Sequence, residues 1–155
     1  MTAQTKVALG NDHRGVDAKR RVLATLASLD CAVADLGSNA PAGVDYPDFA
    51  FAVAEAVATG KADRGVLICA TGHGMCIAAN KVPGVRAVNC RDIVDAEMSR
   101  THNNANVLCL SADLLGEDLM EQIIRKWFET PFETGGRHDR RLAKIAQFET
   151  AQSKK

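Results

Sequence analysis

No stretch of this 155-residue chain approaches the roughly 18 consecutive apolar residues of a membrane span, so no transmembrane helix is expected. Net charge is missing too. With 19 basic and 19 acidic residues, no overall field draws the protein to nucleic acid or anionic lipid, and any basic site has to be local. The five cysteines, Cys31, Cys69, Cys76, Cys90 and Cys109, are odd in number and include no C-x-x-C pair. That spacing argues against a disulfide framework or a zinc ribbon and for reduced thiols. Met1 to Lys6 are polar and lead into a strand-like run, so no signal peptide is expected and the expected address is cytoplasmic. Internal repeats, low-complexity tracts and linkers are also lacking, which leaves one domain over residues 1–155. At this length a chain buries about two-thirds of its unfolded surface, enough to fold without staples.

What is present is an alternation of short apolar runs with segments of helical period. Strands are expected at Lys6 to Gly10, Cys31 to Leu36, Gly65 to Ala70, Val85 to Asn89 and Asn106 to Leu110. Between them, Val22, Leu23, Leu26 and Leu29 mark one helix, and Ala50, Val53, Ala54 and Val57 another that begins near Pro47 and stops at Gly60. A short small-residue helix should run to Ala79, and a further one from Asp92 to about Thr101, with Asn103 and Asn104 as left-handed candidates at its end. Leu119, Met120, Ile123, Ile124, Trp127 and Phe128 outline a strongly amphipathic helix, and a last helix starts near Arg137, leaving 152–155 as a frayed tail. Five strands separated by helices imply a Rossmann-like, five-stranded parallel sheet in a three-layer α/β/α sandwich. The ligand crevice of such a sheet lies beyond the carboxyl ends of its strands, where the strand order reverses. Chemistry is therefore sought in the loops that open at Asn11, Thr71 and Ser111.

The second of these loops, Cys69-Ala-Thr-Gly-His-Gly74, passes from a buried strand to a helix start. Its glycines let backbone approach a ligand, and free N–H groups at a helix start favour an anion and a thiolate. A base beside such donors suits removal of a proton next to a carbonyl, because the donors stabilise the enediolate oxygen as charge develops. A buried cysteine beside a glycine-rich turn is the plainer alternative. In the first loop, Asp12 could accept from sugar hydroxyls while His13 and Arg14 meet an anionic group, or Asp12 could simply cap a helix. Arg137 and Arg141, four apart, could clamp a phosphate from one helix face, or belong to a solvated charge run. Histidine is the side chain suited to proton transfer near neutral pH, so His102 could pass a proton to a ring oxygen, or serve only the helix dipole. Cys31, Cys90 and Cys109 read as core, and Cys76 as a residue without a role.

Taken together, Asn11-Asp-His-Arg-Gly15, Asp45-Tyr-Pro47, Leu67-Ile-Cys-Ala-Thr-Gly-His-Gly74, Ile77-Ala-Ala-Asn-Lys81, Arg100-Thr-His-Asn103, Asn106-Val-Leu108 and Gly135-Gly-Arg-His138 resemble the ribose-5-phosphate isomerase B family, which includes galactose-6-phosphate and allose-6-phosphate isomerases. The resemblance runs from about residue 6 to about 149. It implies an aldose–ketose isomerase, most simply of ribose 5-phosphate and ribulose 5-phosphate, with Cys69 shuttling the proton between C2 and C1. By the same resemblance Thr71 and His102 open the sugar ring, and the backbone of Ala70, Gly72, His73 and Gly74 with the Asn103 side chain forms the anion hole. Asp12 matches a hydroxyl-binding aspartate, Tyr46 a loop position at the substrate, and His13, Arg137, His138 and Arg141 the phosphate end. Also implied are a homodimer or dimer of dimers with shared active sites, a C-terminal helix reaching to a partner subunit so that His102, Asn103 and the 137–141 segment serve its Cys69, and neither metal nor organic cofactor.

Three positions depart from the family pattern. Ala70 stands where glycine is common, which requires a negative φ. His73 replaces a small or apolar residue and adds a hydrogen-bonding ring. Asp113 stands where an arginine commonly helps hold the phosphate, so it must turn toward a base such as Arg140 or Arg141, or the substrate must differ. Competing readings are the same chemistry on a four- or six-carbon aldose phosphate, a non-catalytic sugar-phosphate binder, and a zinc site of Cys69, His73 and Cys76 with His13 or His102.

Overall fold

The computed structural model describes residues 4–154. Met1 to Ala3, part of the segment expected to carry no leader signal, and Lys155, the end of the expected tail, lie outside the described residues.

Five strands form one parallel sheet: β1 Lys6–Asn11, β2 Ala32–Asp35, β3 Arg64–Cys69, β4 Ala87–Asn89 and β5 Val107–Ser111, in the order β2-β1-β3-β5-β4. Around it pack α1 Val16–Ser28, α2 Tyr46–Ala58, α3 His73–Ala79, α4 Ile93–Asn103, α5 Glu117–Glu129 and α6 Arg137–Gln152, with a 3₁₀ turn at His13–Gly15 before α1. The central strands read as continuous apolar runs because both faces are covered. Alternate side chains Val7, Leu9, Val66, Ile68, Leu108 and Leu110 meet α1, α4 and α5. Ala8, Leu67, Cys69, Val107 and Cys109 point the other way, into α2 and α3. The α5 stripe drives much of the first core: Met120, Ile123, Ile124 and Trp127 are all buried, each contributing about 1.5–3 kcal/mol. Ala50, Val53, Ala54 and Val57 form the buried face of α2, and Gly60, at φ 74°, turns the chain after it.

The fourth strand is shorter than its apolar run suggests. The N–H groups of Arg86 and Ala87 bond to the Asn106 and Asn80 side chains instead of a neighbouring strand. At the end of α4 only Asn104 is left-handed, at φ 42°, and Asn103 remains helical. Gln152, placed by sequence in the tail, closes α6. None of the α6 residues is buried; the helix meets α4 and the loop before β4, where Glu149 accepts from the Gly84 N–H at 3.0 Å.

From β1 the chain steps to β2 on one side and returns to β3 on the other, so strand order reverses between β1 and β3. That reversal opens a crevice beyond the ends of the two strands, where Asn11 lies opposite Ile68 and Asp12 follows. One wall is tied down from below. The buried Lys19 ammonium donates to the Ser38 carbonyl at 2.9 Å and to Asn39 at 2.8 Å, and pairs with Asp35 at 3.1 Å. Asn11 adds a bond to the same Ser38 carbonyl. The long loop that delivers Tyr46 is thus fastened to β1.

Candidate active site

Cys69 ends β3, beside Ser111 of β5, and is 4% exposed. Its sulfur accepts the N–H of Gly72 at 3.2 Å, because the chain doubles back immediately after the strand. Gly72 makes that reversal at φ 79°, and a Cβ there would fall 2.5 Å from the Asn89 side-chain oxygen. Gly74 is required for another reason: its missing Cβ leaves room for the Tyr46 ring, which would otherwise be 2.7 Å away. The His73 N–H bonds to Thr71 Oγ1 at 3.3 Å. In the first turn of α3 the Gly74 and Met75 N–H groups have no earlier carbonyl of the helix to meet. Ser111 Oγ donates to the Ala70 carbonyl at 2.6 Å, and the Asp113 N–H to the same oxygen at 3.0 Å, so the turn is braced from β5. Ala70 keeps a negative φ, as its methyl group requires.

Asn89, at the end of β4, fixes the outer side of this turn. Its amide donates to the Thr71 carbonyl at 3.1 Å and lies 2.8 Å from His73 Nδ1, an arrangement that uses Nδ1 as acceptor. Asp12 is buried, and one of its oxygens caps the 3₁₀ turn through the Arg14 N–H at 2.9 Å, leaving the other outside any bond. His13 and Arg14 then line a polar cavity of about 380 Å³ with Ala112 and Asp113. Asp113 does turn aside, yet toward Arg14 and not toward Arg140 or Arg141. A two-pronged pair at 2.8 Å joins the loops after β1 and β5. That hydrogen bond and charge hold the Arg14 guanidinium above its ordinary value.

The remaining candidates form a second group on α4 and α6. His102 and His138 stack with ring centroids 4.5 Å apart and planes 11° from parallel. With Arg137, Glu133 and Thr101 they line a cavity of about 330 Å³. Partial desolvation, then the charges of His102, Arg137 and Arg141, bring His138 below the usual histidine value. Asn103 lies apart, beside Arg86 and Ile145 in a groove between β4 and α6. The structure therefore gathers Cys69, Ala70, Thr71, Gly72, His73, Gly74 and Tyr46 at one tip, with Asp12 and His13 beside them. It gathers His102, Arg137, His138 and Arg141 at another place.

Sequence reasoning missed the supports: Asn89, Ser111, Lys19 and Arg100. Asn89 and Ser111 could have been found from their position, since each ends a strand on the functional edge. Arg100, 2% exposed, donates to the carbonyls of Thr130 and Ala105 and to Asn104 Oδ1, fastening the end of α4 to the chain leading into α6. Burial, and then the charges of Arg64 and Arg86, lower its pKa to about 10. Cys76, given no role, lies 3.4 Å from the Ala87 carbonyl, and its pairing with the Cys109 thiol brings its pKa down to about 7. Burial pushes Cys90 up to about 12. Among the described residues no three His, Cys, Asp or Glu side chains come together as a metal cage, so the Cys69, His73 and Cys76 zinc set does not form.

A parallel α/β sandwich with a thiol, backbone donors and an aspartate converging at its switch point belongs to the class of small-molecule enzymes that work at the carboxyl edge of the sheet. Within that class the chain belongs to the ribose/galactose isomerase family, whose model matches residues 7–145. It is 42% identical over 144 residues to ribose-5-phosphate isomerase B of Escherichia coli, covering 93% of this chain and 96% of that protein. To D-erythrulose-4-phosphate isomerase of Pectobacterium atrosepticum it is 41% identical over 132 residues, covering 84% and 86%. Its fold superposes on ribose-5-phosphate isomerase B of Clostridium thermocellum with a TM-score of 0.92 at 44% identity, over 96% of this chain and 99% of that one.

Proposed function

We propose that this protein interconverts ribose 5-phosphate and ribulose 5-phosphate, with the Cys69 thiolate as the base. The observation that carries this reading is the placement of the Cys69 sulfur, at a strand tip and within 3.2 Å of a backbone N–H, with Asp12 at the end of the neighbouring strand keeping one oxygen unengaged. With the sugar open, the thiolate takes the C2 proton, and the C–H electron pair forms the C1–C2 double bond as the aldehyde oxygen becomes an enediolate oxygen. Donors of the 70–74 turn meet that charge. The proton returns from the thiol to C1, the O2 proton moves to O1, and the C2 carbonyl forms, so atoms balance without a cofactor. His102 and Thr71 open the furanose by moving a proton from the C1 hydroxyl to the ring oxygen.

His102 and the 137–141 arginines stand apart from Cys69 within one chain, and they complete the Cys69 of a second subunit in a homodimer or dimer of dimers. Arg137 and Arg141, one helical turn apart on α6, hold the phosphate. No described helix is long and apolar enough to cross a membrane, and five free cysteines suit a reducing compartment, the cytoplasm.

The four-carbon reading has support of its own in the relative that is named for D-erythrulose 4-phosphate. Turnover of four-, five- and six-carbon aldose phosphates decides it. A kcat/KM for ribose 5-phosphate at least tenfold above the others is expected, and preference for another chain length would replace the substrate assignment while leaving the chemistry.

A further inference from the structure

His102 ends α4 and His138 begins α6, and the two rings lie flat on each other at 4.5 Å with an 11° tilt. Neither ring has a hydrogen bond to any described residue. A proton-transferring histidine is usually oriented by a bond on its second nitrogen, and here nothing of that kind orients His102. Within the chain, the contact that constrains the ring is its flat neighbour. The platform is itself held from two sides: Gly135 donates its N–H to Asp139, which fixes the start of α6, and Arg100 ties the end of α4 to Thr130.

We infer that His138 is a positioning residue, the platform that sets the His102 imidazole against the sugar ring, and not one of the groups that bind phosphate. This rests on the proposed ring-opening role of His102. The charges around the stack agree with it. Arg137 and Arg141 on α6 and His102 on α4 oppose a proton on His138, while Asp139 favours one, and the balance lies below the usual histidine value. Uncharged, the ring stacks without repelling its neighbour, and the two arginines remain to meet a dianion.

The test compares His138→Ala with His138→Phe in the full-length protein, using ribose 5-phosphate. If His138 is a platform, the alanine variant loses about tenfold in kcat at nearly unchanged KM, the size usual for loss of a supporting residue. The phenylalanine variant, flat and without nitrogen, restores most of that loss and preserves the ring-current shift of the His102 ring protons in NMR. Should both variants instead raise KM with kcat intact, His138 contacts the phosphate and the inference is overturned. The His102→Ala variant keeps the two readings separate: an unchanged rate there removes the ring-opening role itself. A lost rate there, beside indifference to His138→Ala, removes only the platform.

Discussion

The tip of β3 and the edge shared by α4 and α6 hold their chemistry in opposite ways. At the tip, backbone does the placing: Cys69 is buried, Gly72 and Gly74 shape the turn, and Asn89 and Ser111 lock its carbonyls. At the edge, side chains do it, from half-buried His102 and His138 to exposed Arg137 and Arg141, on a helix with no buried residue. The difference suits the work proposed for each. Proton transfer at carbon demands a reacting geometry good to a few tenths of an ångström, which a strand end within a packed sheet supplies. Capturing a phosphate demands charge and reach, and tolerates motion.

The comparison is broken most directly at Cys69. Removing the proposed base should lower kcat about 10³-fold while substrate still binds and thermal stability shifts little. Equal turnover in Cys69→Ala would assign the proton to another group. Mixing that variant with His102→Ala sharpens the result. In a shared site, the hybrid dimer regains one intact centre, and activity returns on mixing two inactive proteins. No recovery after subunit exchange would place both halves in one chain.

At the edge, Arg137→Ala and Arg141→Ala should act on KM, by about 10–100-fold, with a smaller change in kcat, as loss of a charge-assisted contact costs about 1.5–3 kcal/mol. A KM that stays put in both would reject the clamp. The support beneath that edge can be tested apart from the chemistry. Arg100→Met strands the Thr130 and Ala105 carbonyls and relieves a buried cation, a net loss of about 2 kcal/mol in denaturant titration. Because Arg100 is buried beneath the edge and not one of the proposed substrate groups, substrate turnover by the folded variant should fall less than in His102→Ala.

How far each half was legible in the sequence follows from the same contrast. Cys69 to Gly74 could be placed because strand, turn and helix are written in adjacent residues, and glycine marks the turn. The α2 stripe was equally plain, since Ala50, Val53, Ala54 and Val57 carry the period themselves. The Arg14 to Asp113 pair was not, because it joins residues 99 apart whose meeting depends on β1 and β5 both flanking β3. The His102 to His138 stack likewise requires knowing how α6 returns across α4. Local chemistry is readable from local sequence, and pairing across the sheet edge is not.

The smallest effect tests the packing behind the tip. Cys76 is pulled two ways: its pairing with the Cys109 thiol favours the thiolate, while burial opposes it. The first prevails, bringing Cys76 from 9.0 to about 7, whereas the same pair, and then burial, raise Cys109. A group with a depressed folded pKa stabilises above its unfolded value and loses that contribution as pH falls through the folded one. Cys76 therefore adds stability as pH rises from about 7 to about 9, and Cys76→Ser should flatten that slope in a pH series of melts. Iodoacetamide gives a direct reading, with half-maximal labelling of native Cys76 near pH 7 while Cys90 and Cys109 stay unmodified. Labelling of Cys76 that began only near pH 9 would mean that the pairing with Cys109 does not form, and that the α3 helix packs on the sheet without coupling the two thiols.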